Sequence, residues 1–480
     1  MAIETKIEAA PPPISANPDH KTSQLMRELG GWAATAIVVG TMIGTGIFLV
    51  PSAMARDAGS VGLVFAAWIT GGLLTLCGAL AWAELGAALP EAGGGYAYLK
   101  RGFGPMWGFL FGWMNSVVNK PVSIAAIAAG LLRFVGFLIP ALGAPIFTWR
   151  LSLPFRETPY DFVFTRAQPL AVGAIAMITF INYLGVRLGG QVQVVLTVLK
   201  IVGVLAIVIF GFALGDGSAA NFQPLFPESI NSGAFSGFLL TLVAALWAYE
   251  GWADLTLAGS EVKNPQRAIP RALVGGVALV ACVYLLANAV YFYALPFDAV
   301  AQSQHVASDV VERFGGRGAA QWITIAMIVS ALGTLNSGIL TGARAPYALA
   351  RDGLFFRATA SVSPRFHTPG TALVFQAGLA GALALTGTFD ELISMSVFAQ
   401  WVYYALTIAA LFGLRRKEPN LPRPYRVVGY PWIPTVFIIG ALALTVNLFI
   451  ARPERTSLGL ALMLLGLVFY RRWRKNIAHQ

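Results

Sequence analysis

Charge is what this chain lacks most. Only 11% of its 480 residues are Asp, Glu, Lys or Arg, while 57% are hydrophobic. A soluble globular chain carries about 25% charged residues, so this one is expected to bury itself in a bilayer. Cysteine is nearly missing as well. Cys77 and Cys282 both lie inside apolar stretches, which excludes a disulfide framework and a thiolate metal site and leaves both as packing residues. The four histidines, His20, His305, His367 and His479, lie outside the apolar stretches. HExxH, paired-carboxylate and Ser/His/Asp patterns are missing, so no enzyme activity, cofactor or metal is expected. A secretory signal is missing too. Residues 1–29 are polar, with Lys6, Lys21, Arg27 and a Pro11-Pro12-Pro13 run, and read as a disordered cytoplasmic tail.

What the chain has instead is long apolar runs. A spanning helix needs about 20 largely apolar residues. Twelve stretches qualify: 31–55, 61–89, 105–132, 168–186, 189–214, 235–259, 271–296, 319–350, 370–387, 391–414, 431–450 and 457–470. The last is the shortest. Residues 141–167 and 297–318 read as long connections of mixed polarity, the second with helical spacing at Val300, Val306, Val310, Val311 and Phe314. With both termini placed inside, twenty-one of the 33 lysines and arginines fall on the cytoplasmic side and nine on the outer side, the asymmetry that orients membrane proteins. The net charge of +11 is scattered through these short loops rather than gathered on one face, so nucleic acid is not an expected partner.

Two of the runs are interrupted by glycine, at Gly40-Thr41-Met42-Ile43-Gly44-Thr45-Gly46-Ile47-Phe48 and at Trp247-Ala248-Tyr249-Glu250-Gly251-Trp252. Non-helical backbone at membrane depth survives only where protein buries it or it lines a cavity, and paired interruptions in corresponding halves point to a transporter's binding site. A broken helix exposes N–H groups on its downstream half and carbonyls on its upstream half. The first attract a carboxylate and the second an ammonium, so a zwitterion suits two such breaks. Glycine also serves close helix packing, so GxG alone is a weak signal; the second break and Glu250 strengthen it.

Motifs across the chain then carry a resemblance: GTMIGTGIF at 40–48, AWAELGAALPEAGGGYAYL at 81–99, AYEGWADLTLAGSEVKNPQRAIPRAL at 248–273 and LGTLNSGILTGARAPYALARDGL at 332–354. The chain resembles the amino acid–polyamine–organocation transporters and, within them, the L-type amino acid transporter branch and its bacterial relatives. The resemblance implies an all-α membrane protein with 12 transmembrane helices and a LeuT-type 5+5 inverted repeat, helices 1 and 6 being broken. The transport core would run from 30 to 414, with repeats at about 30–215 and 233–414, helices 11 and 12 at 415–472, and a cytoplasmic tail at 473–480. It implies exchange or facilitated movement of neutral L-amino acids by alternating access across a bacterial inner membrane, with a proton-coupled symporter as the alternative. A non-transporting receptor is a third class, weakened by the lack of a large cytoplasmic signalling domain. Residues 139–168 hold no cysteine, so no disulfide-linked heavy chain is expected, and a monomer is.

By position, the resemblance implies that Thr45 and Gly46, beside Gly44, contact the substrate carboxylate. Carbonyls of Met42, Ile43, Trp247, Ala248 and Glu250 would hold the α-amino group, and Trp247 would gate the site. Lys200, deep in the run 189–214, resembles a lysine that stands in for the sodium of sodium-driven relatives; it could instead lose its proton and couple transport to protons, or be a snorkelling or packing cation. Lys120, before Pro121, either tunes side-chain selectivity, pairs with Glu250, or reaches an unrelated polar cavity. Glu250 binds the amino group, carries a proton or caps free N–H groups. Asp254 is expected as a helix-terminal or interhelical residue, with a pocket role as the alternative. Asn336 is either pocket-lining or interhelical. Glu84, Arg344, Arg351 and Asp352 read as cytoplasmic gate or loop-anchoring charges, or as solvated or paired interface charges.

Overall fold

The computed structural model describes residues 25–151, 160–214, 216–227, 232–386, 389–451 and 453–478; most of the expected N-terminal tail falls outside them. The described residues are mostly helical. The helices are α1 (Gly31–Met42), α2 (Gly46–Ala58), α3 (Val61–Ala88), α4 (Gly95–Phe103), α5 (Pro105–Met114) and α6 (Lys120–Leu138), then α7 (Ala167–Tyr183), α8 (Val186–Leu214) and α9 (Ser232–Ala248). After the second break come α10 (Pro265–Ala294), α11 (Phe297–Gln302), α12 (Val306–Gly342) and α13 (Arg344–Arg351). The chain then runs through α14 (Gly370–Thr386), α15 (Phe389–Lys417), α16 (Trp432–Ala451) and α17 (Pro453–Ala478).

Among the described residues, seven stretches are long and apolar enough to cross a membrane: Gly31–Ala58, Val61–Ala88, Pro105–Leu138, Val186–Leu214, Pro265–Ala294, Gln321–Arg351 and Trp432–Ile450. Ala167–Tyr183, Gly233–Ala248 and Gly370–Thr386 are shorter apolar helices. In Gly31–Ala58, 78% of the most apolar window is buried, against 22% in Trp432–Ile450, so the first broken segment is central and α16 peripheral. The peripheral faces carry apolar side chains outward, such as Val198, Val202 and Ile209 of α8 and Ile439 and Val446 of α16, as lipid contact requires.

Several elements depart from expectation. Residues 141–167 hold an antiparallel hairpin, β1 (Pro145–Leu151) with β2 (Tyr160–Thr165); its alternation is too short to stand out beside long apolar runs. The helix expected at 457–470 covers Pro453–Ala478, because its charged last turns continue the helix past the apolar run. The sixth run stops being α-helical at Ala248 and continues as short 3-10 turns, Asp254–Leu257 and Gly259–Glu261. Between α5 and α6 a π-turn spans Asn115–Asn119, with the Lys120 N–H donating to the Asn115 carbonyl five residues back. This relieves the clash a following proline makes with the helix before it. Cys77 is half-buried, but Cys282 is exposed on α10, so it is no packing residue; a thiol behaves as a small hydrophobe and tolerates a lipid-facing position.

Candidate functional site

The two breaks meet at the centre. α1 ends at Met42, residues 43–45 leave the helix, and α2 restarts at Gly46 with Thr45 as its N-cap. The first N–H groups of α2 therefore point back into the gap. In the second break, Gly251 sits at φ 98, a left-handed conformation that glycine adopts without strain. The two breaks touch: a Cβ on Gly46 would lie 3.1 Å from the Cα of Ala248, and one on Gly251 would run into the side chain of Thr41.

Between them is a cavity of about 120 Å³. Thr41, Met42, Gly44, Thr45 and Gly46 line it from the first break, and Trp247, Ala248, Glu250 and Gly251 from the second. The opposite wall holds Asn119, Lys120, Ser123 and Gln400, with Thr334 and Gly338 from α12. The π-turn carries Asn119 to this wall, where its Nδ2 donates to Oε1 of Gln400 at 2.8 Å. Among the expected site residues, the fold thus gathers Met42, Gly44, Thr45, Gly46, Trp247, Ala248, Glu250 and Lys120 on one cavity.

Two expectations need correction, for Ile43 and for the Lys120–Glu250 pair, and Asn336 takes the interhelical of its two expected places. Ile43 does not line the cavity; the chain alternates sides as it leaves the helix, and the Ile43 carbonyl faces away to accept from Lys200, Ser330 and Thr334 at 2.6, 3.1 and 3.2 Å. Asn336 is interhelical: its Nδ2 donates to the Gly189 carbonyl at 3.1 Å and Oε1 of Gln193 at 2.8 Å, and its Oδ1 accepts from Asn182. Lys120 pairs with Asp254 rather than Glu250, both side chains being almost wholly buried. Glu250 instead accepts from the Tyr404 hydroxyl at 2.6 Å.

Lys200 lies behind the first break, 1% exposed. Its ammonium donates to the carbonyls of Gly40, Ile43 and Ser330 at 2.8, 2.6 and 2.9 Å and to the Thr334 hydroxyl at 3.2 Å. The Gly40 and Ile43 carbonyls are among those that the end of α1 leaves without intrahelical donors, while Ser330 and Thr334 come from α12. A second group bridges the two breaks, with one O–H proton shared between a carbonyl of each. The buried Tyr284 hydroxyl lies 2.6 Å from the Met42 carbonyl oxygen and 2.9 Å from that of Ala248. Sequence reasoning missed Tyr284, Asn119, Gln400, Ser330 and Thr334. Polar side chains inside apolar runs are the signal that marks them.

One end of the broken first span is open and the other is shut. On the hairpin side a vestibule of about 950 Å³ reaches down α6, with Val122 and Ala126 lining both it and the central cavity. On the other side, Arg344 and Glu261 form a fully buried bidentate pair at 2.6 and 2.9 Å. The Leu29 N–H donates to the Glu261 carbonyl at 2.9 Å, and the Lys263 N–H donates to the Leu29 carbonyl at 2.8 Å. Glu84, also fully buried, accepts from Arg415 at 2.9 and 2.5 Å and from the Val427 N–H at 2.7 Å. Neither Glu84 nor Arg344 is therefore a solvated interface charge. Asp352 accepts from Lys100 at 2.6 Å and from Tyr96, while the Arg351 guanidinium lies 6.0 Å from the centre of the Tyr347 ring. At the rim, hydrogen bonding from the Arg101 guanidinium holds the Glu418 carboxyl below its usual range.

Comparison with known proteins gives the family. Residues 29–470 match the amino acid permease family. The serine/threonine exchanger SteT of Bacillus subtilis (strain 168) is 31% identical over 95% of this chain and 98% of its own length. The b(0,+)-type amino acid transporter 1 of Mus musculus is 34% identical, covering 94% of this chain and 88% of its own. The cystine/glutamate transporter of Homo sapiens is 29% identical over 94% and 86%. The chain belongs to the amino acid permease family, in the L-type transporter branch of the amino acid–polyamine–organocation superfamily.

Proposed function

We propose that this protein is a secondary exchanger of small neutral amino acids in a bacterial inner membrane, with both termini cytoplasmic and twelve spans of LeuT-type inverted repeats. The observation that carries the proposal is the meeting of two broken helices on one small cavity, with N–H groups of α2 on one side and carbonyl ends on the other. The amino acid carboxylate would lie on the N–H groups at Thr45 and Gly46. Its ammonium would lie near the carbonyls of Met42, Trp247 and Ala248, and the Glu250 carboxylate adds negative charge there. The cavity of about 120 Å³ is well below the roughly 300 Å³ at which pockets for drug-sized ligands begin, which supports a small substrate. The relative named as a serine/threonine exchanger supports the same class. Because Lys120 is neutralised by Asp254, the side-chain wall carries no net charge from that pair, which supports a neutral substrate.

In this reading the vestibule on the hairpin side is the outer entrance, and the described conformation faces outward. Inward opening separates Arg344 from Glu261 and Leu29 from the segment around Val262. Lys200 occupies the place of a cation throughout the cycle. Proteoliposomes test the proposal. Uptake of labelled serine or alanine should require unlabelled amino acid inside and ignore an imposed pH gradient. Accumulation driven by pH without internal substrate would reject exchange in favour of proton symport, the reading that the cavity-facing Glu250 with its Tyr404 partner favours.

A further inference from the structure

The β1–β2 hairpin has two unlike faces. Side chains alternate along a strand, and the register pairs Phe147 with Phe164 and Trp149 with Phe162. These four form one aromatic face; the Phe147 and Phe164 rings stack at 4.9 Å, and Phe162 lies 6.2 Å from Phe147. Thr148 pairs with Val163 on the other face, and Val163 and Thr165 line the vestibule. The aromatic face therefore points away from the entrance, and its β1 members are open, Trp149 being 63% exposed and Phe147 47%, while Phe162 and Phe164 are half-buried.

The hairpin is also fixed at the end of a helix bundle. Gln168, in the first turn of α7, donates from Nε2 to the Val163 carbonyl at 3.1 Å, and its Oε1 accepts from the backbone N–H and hydroxyl of Thr165. β2 cannot swing free of α7. On the other side, six residues join Leu138 to Pro145, a reach of about 20–25 Å at most. Both flanking helix ends expose apolar side chains: Phe137 and Leu138 at the end of α6, Ile139 just after it, and Leu170 in α7. The aromatic face thus continues an apolar surface belonging to membrane-spanning helices. Of the four, Trp149 has the polar edge by which tryptophan and tyrosine concentrate where acyl chains meet headgroups, and the three phenylalanines add apolar area beside it.

We propose that the aromatic face of this hairpin is a lipid-binding surface. It lies in the headgroup region of the bilayer and anchors the rim of the vestibule to the membrane plane while the polar face stays wet.

Trp149 supplies the probe, read as the difference in fluorescence between the full-length protein and its Trp149→Phe variant in phosphatidylcholine vesicles. Retained amino acid exchange serves as the check on folding. The difference signal is expected to be lost in lipid brominated near the headgroup end of the acyl chain and kept in lipid brominated near the methyl end. A signal kept in both lipids and removed by aqueous iodide overturns the proposal by placing the face in water. A signal insensitive to all three quenchers overturns it in favour of a second copy of the chain covering the face. A Val163→Trp substitution in the Trp149→Phe background gives an independent arm. Its tryptophan should respond to iodide alone, and equal quenching by brominated lipid overturns the two-faced arrangement.

Discussion

The Tyr284 hydroxyl stands between the Met42 carbonyl, at 2.6 Å, and the Ala248 carbonyl, at 2.9 Å, so one side chain of α10 holds the upstream ends of both broken helices. Tyr284→Phe keeps the ring and its edge contact with Trp68 but removes that tie. The Met42 carbonyl keeps its bond from the Gly44 N–H at 2.8 Å, so the loss falls on the Ala248 carbonyl, and leaving a buried carbonyl unsatisfied costs about 1–3 kcal/mol. Substrate affinity in equilibrium binding should fall about tenfold, with little change in protein yield. Unchanged affinity would show that the carbonyls hold their geometry without Tyr284.

Lys200→Ala should cut exchange strongly while leaving membrane insertion and the size-exclusion profile intact. The substitution strips the only charged donor described at the carbonyls of Gly40, Ile43 and Ser330. A loss of charge-assisted bonding worth about 1.5–3 kcal/mol corresponds to a fall of roughly ten- to a hundredfold in counterflow rate. Wild-type rates in this variant would falsify the stand-in role.

Gly46→Val tests the meeting point of the breaks. The new Cβ would sit 3.1 Å from both the Cα and Cβ of Ala248, and the γ-methyl groups have nowhere to go without parting the two segments. A ligand that binds only the native state raises its melting temperature. That substrate-induced rise should vanish in the variant, and its survival at full size would remove the breaks from the site.

The Lys120–Asp254 pair calls for a double-mutant cycle. Removing one partner of a buried ion pair costs about 3–5 kcal/mol, much of it from stranding the other charge. Lys120→Met should therefore lower thermal stability sharply, and adding Asp254→Asn should restore a good part of it. Purely additive effects in the cycle would mean the two side chains do not interact.

Legibility in the sequence followed the range of the interaction. Glycine breaks inside apolar runs are local, so the interruptions at 43–45 and after Ala248 could be read directly. The depth of Lys200 could be counted along its run. Which way a carbonyl turns inside a break is not local: Ile43 was grouped with Met42 until the fold turned it to the Lys200 side. Partnerships across the bundle are equally invisible in one sequence. Lys120 and Asp254 are 134 positions apart, and Tyr284 and Met42 are 242 apart. Charge alone could not choose between Glu250 and Asp254 for Lys120. The hairpin was missed because two short strands leave a weak pattern beside twenty-residue runs.

The ammonium of Lys200, bound to three carbonyls and a hydroxyl beside the substrate cavity, has a thermodynamic consequence. A dissolved cation in that position enters from one solution and leaves to the other, and its concentration difference performs work. A cation tethered to the chain is never released, so it can fill the same electrostatic role without linking the cycle to any ion gradient. On the proposed mechanism, the driving force then comes only from the amino acids themselves. Net movement stops when the inside-to-outside ratio is the same for every amino acid the protein accepts.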